Sequence, residues 1–256
     1  MKMVAQAKLS QVQSRCMVAA PFTKGAEDFL TAFSTDGAES GEGKTQHLVI
    51  MITGDRGLCG SVNNKVIKAV MAMHNGMPAN EQTILFGIGQ KAQDGIKGDE
   101  RELFARSYRD IGAVPVNFAQ ASLLAEDILS IPHDKASIVY TKYVNQLSQV
   151  PTSVSLPSKQ FIEDNMSEMD EYEFDTDGEA GVLSLDDLYE FQLASLLHGY
   201  LLDTSTSEQA ARVQAMDNST KNANELVESL TLTYNKARQA KITGELIEII
   251  SGAEAV

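Results

Sequence analysis

At the start of the chain, Ala5, Leu9, Val12, Cys16 and Ala19 are spaced 4, 3, 4 and 3. That spacing lays them along one narrow stripe of a helix, the seam of a coiled coil. A helix is predicted over residues 1–20, with Pro21 marking an end or a kink, inside a coiled-coil element spanning 1–33. Residues 34–45 are polar and glycine-rich and read as a loop.

The pattern then changes to alternation of short apolar runs with helical spacing. His47–Thr53 and Thr83–Ile88 are near-continuous apolar runs of strand length, as buried strands require. Between them, Val62, Val66, Ala69 and Met73 fall on one helical face. A weak helix follows at 89–97 and a stronger one at 117–130, with Asn117 as its N-cap. Ala136–Val144 is rich in β-formers, and Val150–Phe161 reads as a further strand with an edge proline. Strand–helix alternation over residues 46–162 predicts an α/β domain built on a mostly parallel sheet.

Residues 163–190 carry twelve acids and no base. The part at 163–184 reads as a solvated acidic loop. From Leu185 helical spacing returns and persists to the end, giving a C-terminal helical element at 185–256. All six prolines lie at or before residue 157, so nothing in this stretch breaks a helix. Ala223, Leu226, Leu230, Tyr234 and Ala237 form a second seam, spaced 3, 4, 4 and 3. A helix over 185–250 would be roughly 100 Å long and would have to pack on another element. The only other such seam is residues 1–20. The weak point is Asp203–Glu208, where Ser205-x-x-Glu208 has the form of a capping box that would start a new helix.

Composition narrows the function. The chain has 35 acidic against 21 basic residues, a net charge of −14, which argues against nucleic-acid binding. Two cysteines, Cys16 and Cys59, cannot make a disulfide framework or a Cys-only zinc site, and a reducing compartment is the default. No apolar run approaches membrane-spanning length, and no secretory signal or transit peptide is visible at the N-terminus. Both seam helices are nonetheless basic. Residues 1–24 hold Lys2, Lys8, Arg15 and Lys24 and no acid, and residues 212–241 hold five bases against three acids. A basic shaft on an acidic body suits an acidic partner around the shaft.

Three local patterns could carry chemistry. Thr53–Gly60 (TGDRGLCG) follows a strand and precedes a helix, where glycines can cradle a phosphate. Its glycine spacing matches neither the dinucleotide fingerprint nor a P-loop, and a tight turn with Arg56 used structurally is the better reading. Gly87-Ile-Gly89 is a weaker version. Cys59 would need a basic partner to act as a nucleophile, and the four histidines show no pairing pattern. Glu173-x-Asp175-x-Asp177-Gly178 resembles the front of a calcium loop but has Ser184 where the bidentate Glu belongs. No metal or cofactor is therefore expected. Near the C-terminus, Arg238 and Gln239 stand among Ala237, Ala240 and Gly244, a slender helix end carrying a few directed polar groups.

At this point the sequence resembles the gamma subunit of F-type ATP synthases. Residues 207–256 resemble that family's C-terminal segment, residues 1–9 (MKMVAQAKL) the later part of its N-terminal helix, and residues 53–60 its sheet-domain signature, usually written with Ser before the Asp. The resemblance implies a long antiparallel coiled coil of the N- and C-terminal helices plus a Rossmann-like α/β domain. It implies a rotor without catalytic residues, partnered by the alpha and beta subunits, the c-ring and a small delta- or epsilon-type subunit. Membrane contact would run only through the c-ring. By match, Arg238, Gln239 and Thr243 would contact the catch loop of the catalytic subunits, and Ile242, Leu246, Ile249 and Ile250 would run in an apolar bearing. The ending resembles mitochondrial versions, which implies the matrix side of the inner membrane. The plastid form's paired-cysteine segment is not matched. The family helix ordinarily starts well before MKMVA, so the upper coiled coil is expected to lack its mate for part of its length. Two rivals remain: a stand-alone α/β enzyme with a helical oligomerisation arm, and a coiled-coil adaptor.

Overall fold

The computed structural model describes residues 1–32, 45–78, 80–157, 162 and 179–254. They fall into two compact units, Met1–Gln214 and Ala215–Val256. The acidic stretch 163–178, with its calcium-like pattern, and most of the 34–45 loop lie outside the described residues.

The first unit is built on a five-stranded sheet. Its strands are β1 (Thr45–Ile52), β2 (Glu81–Ile88), β3 (Phe104–Tyr108), β4 (Lys135–Tyr143) and β5 (Gln149–Leu156), in the order β3-β2-β1-β4-β5. The first four are parallel neighbours, and β5 closes the edge antiparallel to β4. The helices are α1 (Lys2–Ala32), α2 (Val62–Gly76), α3 (Gln90–Gly95), α4 (Phe118–Leu129) and α5 (Glu179–Glu254).

Alternation along the central strands explains the layers. Leu48, Ile50 and Ile52 face one side with Phe86, Ile88, Ile138 and Tyr140, and α1, α4 and α5 cover them. Val49 and Met51 face the other side with Leu85 and Val139, under α2 and α3. Strands buried on both faces must be apolar at every position, which is why they read as continuous runs. α4 begins at a full capping box. Asn117 accepts from the Gln120 amide at 2.9 Å, and the Gln120 side chain accepts from the Asn117 amide at 3.2 Å.

The structure decides open points, moves one boundary and adds a strand. Pro21, read as an end or a kink within the 1–33 element, is interior: α1 runs through it to Ala32. The cost of an interior proline, about 3 kcal/mol, is offset by burying Ala26, Phe29 and Leu30 against the sheet. α5 begins at Glu179 rather than near Leu185, and it does not restart at Asp203–Glu208. The strand β3 was not legible, because an edge strand pairs on one side only and Ala105 and Arg106 of Phe104–Tyr108 are exposed.

α1 and α5 pack antiparallel within the first unit. Cys16 meets Asp203, and farther toward the start of α1, Ala5 and Leu9 meet Ala210 and Val213. The pairing thus uses the expected α1 seam. Leu226, Leu230 and Tyr234 are 59%, 59% and 66% exposed, and the partner face on α5 is the stretch ending at Val213.

Candidate functional site

The loop Thr53–Gly60 leaves the C-terminal end of β1, the place where open parallel sheets bind ligands. Thr53 donates its amide to the Ile88 carbonyl at 2.8 Å and its hydroxyl to the same atom at 3.1 Å. The Gly54 amide donates to Asn63 Oδ1 at 2.9 Å. Asp55 accepts three amides: Gln90 and Asp110 on Oδ1 at 2.8 and 2.9 Å, and Gly112 on Oδ2 at 2.8 Å. These are the donors a phosphate would need, and they are already used. The side chain of Arg56, read as the structural one, is exposed; Asp55 holds the turn instead.

Cys59 is 2% exposed and takes a hydrogen bond from Asn63 Nδ2 at 3.3 Å. Burial, and then the nearby Glu208 carboxylate, push its thiol pKa up. That is the opposite of an activated nucleophile. Its side chain packs with Val62 and Ala211 of α5.

Helix α5 closes over this loop. The Thr141 amide donates to Thr204 Oγ1 at 3.4 Å, and Ser207 Oγ donates to the Thr141 carbonyl at 3.2 Å. One residue on, Glu208 lies against Gly54, where a Cβ would sit 2.5 Å from its carboxylate oxygen. Arg212 pairs with Glu208 and donates to the Gly57 carbonyl at 3.4 Å. Burial raises the Glu208 pKa, opposed by Arg212. The sequence reading missed this role. The available signal was the i, i+4 pair Glu208–Arg212 beside the hydroxyl-rich Thr204–Ser207, in a helix otherwise buried through apolar residues.

The rival enzyme reading can point to the acid–base grouping around His47. His47 Nε2 lies 2.9 Å from Ser137 Oγ, and Nδ1 lies 3.8 Å from Glu81, which also binds Lys135 at 3.0 Å. Ser137 is 3% exposed, and Thr45–Gln46 and Lys135 place the group at the opposite end of the strands from Thr53. A hydroxyl buried there meets no substrate. Burial also lowers the His47 pKa, against the pull of Glu81. No cluster of His, Cys, Asp and Glu among the described residues could hold a metal ion, and no described helix is long and apolar enough to cross a membrane.

The residues singled out from the resemblance all lie in the second unit. Arg238, Gln239 and Thr243 are exposed. Ile242, Leu246, Ile249 and Ile250 are 46%, 53%, 68% and 57% exposed. Positions 239 and 243, and 242, 246, 249 and 250, share helical faces by spacing. A bare helix that shows this much apolar surface fits a surrounding partner.

The family model described as ATP synthase matches residues 1–256. The "ATP synthase subunit gamma, mitochondrial" of Arabidopsis thaliana is 37% identical over 264 residues, covering 100% of this chain and 79% of that protein. The chain belongs to the ATP synthase gamma-subunit family. The "ATP synthase gamma chain" of the bacterium Acidiphilium cryptum is 35% identical, covering 100% of this chain and 92% of its own length. Among solved structures, the central stalk of the Tetrahymena thermophila mitochondrial ATP synthase matches with a TM-score of 0.69 and 25% identity, over 86% of this chain and 97% of that one.

Proposed function

We propose that this chain is the central-stalk rotor of an F-type ATP synthase, coupling proton-driven rotation of the membrane c-ring to ATP synthesis in the alpha–beta ring. The observation that carries this reading is the match of the whole chain to gamma subunits. The exposed apolar face of α5 beyond Ala215 supports it, since such a face needs a sleeve around it. The sheet-bearing unit rests on the c-ring, beside a small delta- or epsilon-type subunit. α5 runs inside the ring of alpha and beta subunits. There Arg238, Gln239 and Thr243 engage the catch loop of a catalytic subunit, and Ile242, Leu246, Ile249 and Ile250 run in the bearing. The chain itself catalyses nothing. As an asymmetric shaft it biases each catalytic site through successive states, a coupling of binding free energies between chains.

The mitochondrial relatives support a place on the matrix side of the inner membrane, peripheral to it and held through the c-ring. The test is the native mass of the species carrying the chain. A rotor co-purifies in an ATP-hydrolysing complex many times its own 27.8 kDa. A monomer, or a homodimer without alpha and beta subunits, would end the reading and revive the enzyme or adaptor.

A further inference from the structure

We propose that Thr204, Ser207, Glu208 and Arg212 are positioning residues that key α5 into the ligand crevice of the sheet, so that sheet and helix turn as one body. The inference rests on the rotor reading.

In an open parallel sheet the crevice lies where the strand order reverses, beyond the C-terminal ends of the strands. Here the chain moves from β1 outward to β2 and β3, then back across to β4 on the other side of β1. The reversal is therefore between β1 and β4, whose pairing ends at Met51–Val139. Past that point Thr53 turns toward β2 by bonding Ile88, and the backbone of Thr141 is left facing α5. Both of its polar groups are taken by α5: the amide by Thr204, the carbonyl by Ser207. The Glu208 carboxylate lies on Gly54, where a glycine turn in a nucleotide-binding sheet lets a phosphate approach. The chain's own helix forms one wall of the crevice and leaves a cavity of about 100 Å³ lined by Thr53, Gly54, Asp55, Thr204, Glu208 and Arg212.

The mechanical consequence follows from the kinds of contact present. The main core holds α5 through Leu197, Tyr200 and Leu201, but beyond them its apolar contacts involve Ala210, Ala211 and Val213, short side chains whose packing is non-directional. Torque about the helix axis can shear such a surface. Hydrogen bonds and an Arg–carboxylate ion pair are directional and fix an angle. The receiving loop cannot yield easily, because Asp55 and Asn63 tie it to three other segments of the sheet domain, at residues 63, 90 and 110–112. The Glu208 and Arg212 side chains are only 12% and 15% exposed. A buried ion pair is a weak source of stability, so its orientation is the more economical explanation for its presence.

The experiment uses the assembled ATP synthase in inverted membrane vesicles and reads ATP hydrolysis and ATP-driven proton pumping together. Glu208→Ala should lower pumping per ATP hydrolysed by about two- to thirtyfold, the range of coupling that one residue in a network carries. Glu208→Gln, which keeps shape and an acceptor for Arg212, should recover most of the ratio. Leu124→Ala, a cavity in the core at 3% exposure, should lower thermal stability and leave the ratio unchanged. An unchanged ratio in Glu208→Ala overturns the proposal, as does an equal fall in Leu124→Ala. Should Glu208→Ala fail to assemble, Ser207→Ala is read in the same way, and a normal ratio there counts against the key. Absence of the unaltered chain from the complex would instead overturn the rotor reading.

Discussion

Gly89 holds φ +95°, and a Cβ there would collide with the backbone carbonyl of Thr53. Neither backbone can move, since Thr53 is bonded to Ile88 and the Gly89 amide to the Tyr108 carbonyl at 2.9 Å. Gly89→Ala should therefore cost at least about 1–3 kcal/mol. Gly57→Ala in the same region, with nothing within 4 Å, should change little, and urea denaturation of both variants checks the contrast. Asp203 offers a second test. It accepts the Cys16 thiol at 3.2 Å, and burial raises its pKa above the ordinary 3.8, while burial and this carboxylate push the Cys16 pKa up to about 12. A carboxyl whose folded-state pKa is raised gives stability below its unfolded value and loses it as pH rises through the folded one. Asp203→Asn should remove that loss. The melting temperature of the variant relative to wild type should climb as pH rises above about 4, and a difference independent of pH would refute the assignment. At this scale the sequence showed types and not partners. Gly54 and Cys59 were legible as a strand-to-helix turn, but Asp55 draws its three amides from two distant segments, and no local pattern announces that. Glu208 was read as a capping residue, and although its spacing from Arg212 signals an ion pair, no local pattern announces its contact with Gly54, 154 positions away (208 − 54).

Among the elements, those with a strong period or a strong cap were readable and those held by neighbours were not. α4 has both an apolar face, Ala121, Leu124, Ala125 and Ile128, and the Asn117–Gln120 capping box. Asn117→Ala leaves the Gln120 amide without its acceptor and should cost about 1 kcal/mol, read as a lowered denaturant midpoint with an unchanged slope. A loss no larger than that of a surface substitution would mean that packing of the apolar face alone holds the helix end. β1, β2 and β4 were readable for a related reason: central strands covered on both faces are apolar throughout. β3 has only an edge position, and the continuation of α1 past Pro21 depends on Phe29 and Leu30 reaching the sheet. Local rules left an end or a kink open at Pro21, and tertiary burial excludes the end. The seam of α5 shows the converse. Its period was read correctly as apolar spacing at Leu226, Leu230 and Tyr234, but the register of α1 on α5 is set by Cys16–Asp203 and Ala5–Ala210, which places α1 against the hydroxyl-rich half of the helix.

For the whole molecule, the proposed rotor needs a shaft that is gripped at specific angles and slides freely between them. The second unit offers chemistry for both. Ile242, Leu246, Ile249 and Ile250 give a face without directed bonds, which suits a surface that must turn against its surroundings. Arg238, Gln239 and Thr243 give directed donors beside it, and Ala237, Ala240 and Gly244 keep the helix narrow where a loop would approach. A guanidinium binds a carboxylate through two parallel hydrogen bonds, so an acidic catch loop would be held at one angle and released at others. Arg238→Ala should therefore slow ATP turnover by the assembled complex while the nucleotide affinity of the free catalytic subunit stays unchanged. Lysine at this position keeps the charge without the fork, and Arg238→Lys should recover only part of the rate. Glu228, exposed on the same helix and assigned no contact, serves as the comparison, and Glu228→Gln should leave turnover near wild type. Hydrolysis and proton pumping measured in membranes carrying each variant decide the matter. Equal rates for Arg238→Ala and Glu228→Gln would remove the latch from Arg238 and leave the shaft itself standing, because the apolar face and the match along the whole chain do not depend on it.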